Sequence, residues 1–234
     1  MREIFRRPLA DITFISIPEH FNTSAYDAVV EAGSNENGLI QSWQIRRFFS
    51  VARLAYGLNS CQGFGLTEPG SCDIEEGPHY AMFIDYNRDY MDLLIADMTE
   101  FFFVVEGKER LGNLGAQRLD GLSGEAVDEY RDEVRHAIQA FVKRSFPEPD
   151  DSGLAFLRAV VISGEAPRPA FSNVHDAIIN TLPNHKIYDS IDPLFVGAVG
   201  AAQWAKLHVL RPELLKDFDP IDILAFGDAE HDEL

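Results

Sequence analysis

Positive charge is scarce in this sequence: 20 Lys and Arg stand against 38 Asp and Glu, a formal net charge of -18. Neutralising phosphates takes clustered Lys and Arg, so this balance argues against a nucleic-acid partner. Long hydrophobic runs are missing too. No stretch approaches the roughly 18 consecutive apolar residues of a membrane span. The opening MREIFRRPLADITFISIP lacks the apolar core and small residues of a signal peptide. Cysteine is limited to Cys61 and Cys72, which flank the loop QGFGLTEPGS. Such a pair either bridges in an oxidising compartment or stays as two free thiols, and the missing signal favours free thiols. Neither has a second Cys or His at the spacing of a zinc site. The seven histidines are scattered. No Ser, His and Asp set occurs in a nucleophile-elbow context, so other hydrolase chemistry has no support.

Two short addresses are read against the same background. The chain ends in His231-Asp232-Glu233-Leu234, an endoplasmic-reticulum retention signal in form, and Asn22-Thr23-Ser24 is a glycosylation triplet. Both need a secretory route, so the expectation is a cytoplasmic protein with an acidic tail.

What the sequence does hold is core material. Hydrophobic residues make up 46% of 234 and aromatics 11%, enough for one domain or two small lobes. Residues 12–17 (ITFISI) are β-branched and end at Pro18, as a buried strand would. Asn22-Thr23-Ser24 then supplies a cap, and Tyr26, Val29, Val30 and Gly33 predict a short helix with a Gly stop. Residues 39–46 predict a second strand and 50–58 (SVARLAYGL) a packed helix. Between 79 and 106, three apolar runs separated by polar turns predict an antiparallel meander. Val127, Tyr130, Val134, Ile138 and Phe141 lie three or four apart and predict a helix, with Lys143-Arg144 suiting its dipole. Pro147, Pro149, Asp150, Asp151 and Gly153 mark a loop, and AVVI at 159–162 predicts a buried strand. A helix over 170–182 follows, and a final one over 193–210, whose small residues predict close packing on a sheet.

Five segments carry a more specific likeness. SIPEHFNTSAYDAVVEAG (16–33), ARLAYGL (52–58), FIDYNRDYMDLLIA (83–96), VVISGEA (160–166) and IDPLFVGAVGAAQWA (191–205) occur in this order. They resemble, in the same order, segments of the ATPase domain of DnaK-type heat-shock chaperones. The resemblance implies an α/β chain of the actin-like ATPase (ribonuclease H-like) fold. An incomplete first lobe would span 1–76 and an acidic tail 211–234. Between them, 77–210 would form a second lobe with a mixed sheet flanked by helices. In that family ATP lies between two lobes, and Gly-rich hairpins present backbone amides to the phosphates.

The same resemblance implies where a site would be and what it has lost. Asn87, Arg88 and Asp89 stand where the family's phosphate turn has three glycines, while Asp85 and Asp92 keep its carboxylates. Side chains then crowd the turn and Asp89 repels phosphate, with Arg88 an offsetting charge. Two readings of Asp85 to Tyr90 stay open, a simple turn and a residual phosphate loop with Asp85 reaching magnesium through water. At the adenosine end Gly164 remains, flanked by Ser163 and Glu165 in place of a Gly and a Ser. Gly200 with Ala201-Ala202 allows close helix packing below it. For Gly164 a plain strand-to-helix turn is the competing explanation. Phe48-Phe49 replaces the family's Glu-Pro, and the first phosphate hairpin has no counterpart before residue 11.

The expectation is therefore a non-catalytic relative. ATP or ADP, with magnesium, would bind weakly on Asp85, Asn87, Arg88, Gly164, Glu165 and Gly200. Its role would be protein interaction, with a partner or a second copy pairing at the open sheet edge beside the first strand. The alternative is a genuine chaperone-like ATPase recorded without its N-terminal hairpin.

Overall fold

The computed structural model describes residues 14–35, 44–66, 72–146 and 153–211. The expectations placed on the N-terminal segment, on 39–43, on the loop at 147–152 and on the tail with its HDEL ending lie outside the described residues. These residues divide into two compact units, one drawn from Met1–Ala52 with Ala198–Leu234 and one from Arg53–Gly197.

In the first unit, β1 (Ile15–Ile17) and β2 (Ile45–Arg47) pair in parallel, with α1 (Thr23–Asn35) between them in the chain. Asn22 Oδ1 accepts from Ala25 N at 2.9 Å, so the expected cap is present. The expected stop at Gly33 is not, because α1 continues to Asn35. A glycine inside a helix costs only about 1 kcal/mol relative to Ala, too little to end one by itself. Ile17, Tyr26 and Ile45 form the buried centre of this layer. The helix α2 (Phe48–Ala55) follows β2 directly, and α5 (Val196–Leu210) closes the described chain. The expectation that α5 packs on a sheet captures one of its two neighbours, since α5 meets both β2 and α2. Gly200 lies against the backbone of Val51 in α2, and Trp204 stacks with Phe14 at 5.8 Å and lies under the Arg46 guanidinium at 5.4 Å. Small residues on a helix permit close approach to any backbone, helical or extended, and the pattern does not say which.

The second unit is built on a mixed five-stranded sheet. Its strands are β3 (Tyr80–Tyr86), β4 (Met91–Met98), β5 (Phe103–Leu111), β6 (Leu157–Ser163) and β7 (Lys186–Tyr188), in the spatial order β5-β4-β3-β6-β7. The predicted meander forms β3 to β5, paired antiparallel. β6 then returns parallel to β3 by way of α3 (Glu125–Ser145), and β7 parallel to β6 by way of α4 (Phe171–Thr181). Each parallel neighbour needs a crossover, which these two helices supply.

Side chains alternate across a strand, so each strand serves two faces. Met82, Ile84, Tyr86, Leu93, Ile95, Val160 and Ile162 join Tyr130, Val134, Ile138, Phe141, Val174 and Ile178 of the two helices in one core. On the other face Ala81, Phe83, Leu94, Ala96, Ala159 and Val161 are buried as well. Burial on both faces explains why the central strands read as unbroken apolar runs rather than as alternation. At the end of β4, Arg53 is fully enclosed and donates to the carbonyls of Thr99 at 2.9 Å and Phe101 at 2.5 Å. It thereby shapes the turn into β5. Cys61 and Cys72 form a disulfide, which corrects the expectation of two free thiols. Their spacing allowed either state, and folding brings their Cα atoms to 6.1 Å, within bridging reach. Among the described residues no helix is long and apolar enough to cross a membrane.

Candidate functional site

The parallel pairing of β3 with β6 brings two of the singled-out turns together. Asp85 registers with Ser163 on one side and with Asp92 on the other, and Asp92 registers with Arg110 of β5. Four strands therefore place Arg110, Asp92, Asp85 and Ser163 in one row. By alternation this row lies on the sheet face away from α3 and α4. The row sits where β3 and β6 end, and open α/β sheets bind ligands beyond such carboxyl ends.

The side chains of the row are held by one another and by Asn87. Arg110 grips Asp92 with two bonds, Nε to Oδ1 at 2.7 Å and Nη2 to Oδ2 at 2.5 Å, while its guanidinium lies 4.0 Å from the Tyr90 ring centre. Asp85 receives Ser163 Oγ on Oδ1 at 2.9 Å and Asn87 Nδ2 on Oδ2 at 2.7 Å. Burial is the largest influence on Asp85 and pushes its pKa up to about 6; the two hydrogen bonds act the other way, and the charges of Asp92 and Glu165 add to the rise. Arg110 makes its hydrogen bonds to Asp92, and the side-chain donors to Asp85 are the neutral Ser163 and Asn87.

Asn87 ties the two turns to each other. Its amide nitrogen holds Asp85, and its Oδ1 accepts from Glu165 N at 3.1 Å. Neighbouring amides are used in the same internal way: Asn87 N donates to Tyr90 O at 2.9 Å, Ala166 N to Tyr86 O at 3.1 Å and Gly164 N to Pro193 O at 3.2 Å. Residues 114–117 lie over the hairpin, with Ala116 N donating to Asn87 O at 3.0 Å and Gln117 N to Arg88 O at 2.8 Å. Asp85 to Tyr90 is thus a turn that holds its own chain.

Gly164 has φ +125, and a Cβ there would strike the backbone of Tyr86. The glycine is required by the approach of β3, whether or not a ligand is bound. Of the other singled-out residues, Arg88 is solvent-exposed and stands 3.7 Å from Asp120. Gly200 belongs to the first unit, where Val51 accounts for it. Sequence reasoning missed Ser163 and Arg110 as partners of the two carboxylates. Neither had a local signal, because strand register alone makes them neighbours.

A magnesium ion fits these donors poorly. Both oxygens of Asp85 already accept hydrogen bonds and Asp92 is neutralised by Arg110. Among the described residues no group of three or more His, Cys, Asp or Glu side chains converges on a point. A groove of about 630 Å³, lined by Leu154, Leu157, Arg158, His185 and Lys186 among others, lies at the opposite, amino ends of β6 and β7. No protein-family model and no curated protein matches the chain.

Proposed function

We propose that this chain is a non-catalytic relative of the actin-like and DnaK-type ATPases that binds ATP or ADP weakly and acts through protein contacts. Its sheet supports the reading: a meander, a helix, a strand, a helix and a further strand set the phosphate-type turn and the adenosine-type turn side by side. The observation that carries the absence of catalysis is the Asn87 tie. A phosphate cradle works by offering free backbone N–H groups. Here the amides of Asn87, Gly164, Glu165 and Ala166 are taken by the protein's own oxygens. Phosphoryl transfer rests on positioning and on charge stabilised by metal and cation. Asp85 is the buried anchor of the turn in this reading.

Protein contact is supported by the sheet's outer strand. Phe102, Val104 and Val105, exposed by 47%, 51% and 48%, sit together where β5 begins. The rest of the strand carries Glu106, Lys108 and Arg110, and its register shifts opposite Ile95 and Ala96, features that discourage edge pairing. The open apolar part is therefore confined to 102–105.

Phosphate release from magnesium ATP by the purified chain tests the reading. The expected rate equals that of buffer alone. Turnover that saturates with ATP and scales with protein would overturn it.

A further inference from the structure

The disulfide has a neighbour that the proposed function does not use. His79 Nε2 lies 3.7 Å from Cys72 Sγ, while Nδ1 lies 3.0 Å from the carbonyl of Gly77. A carbonyl only accepts, so Nδ1 carries the proton and Nε2 turns its lone pair toward Cys72. The ring is fixed in this pose. It is buried, it packs beside Phe64 at 5.8 Å, and its backbone N donates to Asp97 Oδ1 at 2.7 Å. From the solvent side, a depression of about 550 Å³ reaches both Cys61 and Cys72. A base fixed on one sulfur, with an open approach to the bond, is the arrangement that thiol–disulfide exchange requires.

We propose that Cys61, Cys72 and His79 form an exchange site for a dithiol reductant, with Cys72 as the leaving and reactive thiol. One thiolate of the reductant bonds to Cys61 Sγ as the Cys61–Cys72 bond breaks, and Cys72 departs as a thiolate. His79, taking a proton from solvent, balances that charge. The reductant's second thiol gives its proton to solvent and bonds to the reductant's first sulfur. Cys61 is thereby released and picks up a proton. Two electrons pass to the protein and the dithiol becomes a disulfide. A leaving thiol of lower pKa departs faster, so attack is directed to Cys61.

The charged groups around the site set its selectivity. Asp73, Glu76 and Glu100 line the depression, and the Asp97 carboxylate accepts from the backbone N–H of His79. These acids oppose a thiolate on either cysteine, but only Cys72 has the imidazole in contact. They also repel anionic glutathione, so an uncharged dithiol is the preferred reductant class.

The test reduces the full chain with dithiothreitol, alkylates it with iodoacetamide from pH 5.5 to 9, and follows each cysteine by peptide mass spectrometry. At pH 7 Cys72 is expected to react about tenfold faster than Cys61, with its midpoint below the ordinary thiol value of about 8.5. In His79→Gln the Cys72 profile moves to that ordinary value while Cys61 stays unchanged. Equal rates for the two cysteines, or a Cys72 profile untouched in His79→Gln, would overturn the assignment. If circular dichroism shows the variant unfolded, the wild-type ratio decides alone.

Discussion

Asp85 is held by two neutral donors, Ser163 and Asn87, and burial leaves its pKa at about 6 instead of 3.8. The native state thus favours the protonated form. The contribution of this group to stability is complete below about pH 3.8 and is lost as pH rises through about 6. About 2 pH units at 1.36 kcal/mol each amount to roughly 3 kcal/mol. Urea unfolding of wild type and Asp85→Asn at pH 4 and pH 7 isolates the term. The variant's stability relative to wild type is expected to grow by most of that amount, about 2.4 kcal/mol, between the two pH values, whereas a constant difference would contradict the burial. Gly164 offers a second test. Ala at φ +125 against the Tyr86 backbone is expected to cost about 2–3 kcal/mol, read as a lower urea midpoint. The need for a glycine was legible in VVISGEA, but its cause was not, because Tyr86 is 78 residues away and becomes a neighbour only through β3–β6 pairing.

At the scale of elements, long periodic segments were legible. The meander, α3, β6 and α4 fall where spacing and β-branching place them, since burial on one or both faces imprints a period on the sequence. β7 was not legible, because its three residues, Lys186–Tyr188, are too few to show alternation. The contact of α5 with α2 was also hidden. Arg53 was invisible in another way, as a cation in a helix normally faces water. Burial pushes its pKa down to about 10 against the opposing charge of Glu75, and the guanidinium donates to three consecutive carbonyls from Thr99 to Phe101. Arg53→Met is expected to destabilise the chain by about 3 kcal/mol, since carbonyls of the β4–β5 turn lose their donor. A loss below 1 kcal/mol on urea unfolding would show that the turn stands without it. The exposed start of β5 predicts the opposite. Val104→Lys combined with Val105→Lys should leave the urea midpoint nearly unchanged while abolishing any capture of partner protein through that edge, and a large stability loss would mean that these side chains serve the core.

At the scale of the molecule, the sequence signalled an α/β chain, and the structure has one, with a mixed five-stranded sheet flanked by helices. The candidate site was legible in part. Asp85, Asn87, Gly164 and Glu165 are brought together, while Gly200 answers to Val51 in the other unit. What no local reading supplied is that the two turns hold each other, and the proposed function rests on this. A thermal-shift titration with AMP, ADP and ATP, each with and without magnesium, tests the point most directly, since a ligand of the native state raises its melting temperature. With the amides of Asn87, Gly164, Glu165 and Ala166 occupied, phosphates are expected to add nothing. The three nucleotides should give equal, small shifts that are indifferent to magnesium. A shift that grows from AMP to ATP and depends on magnesium would contradict the closed cradle.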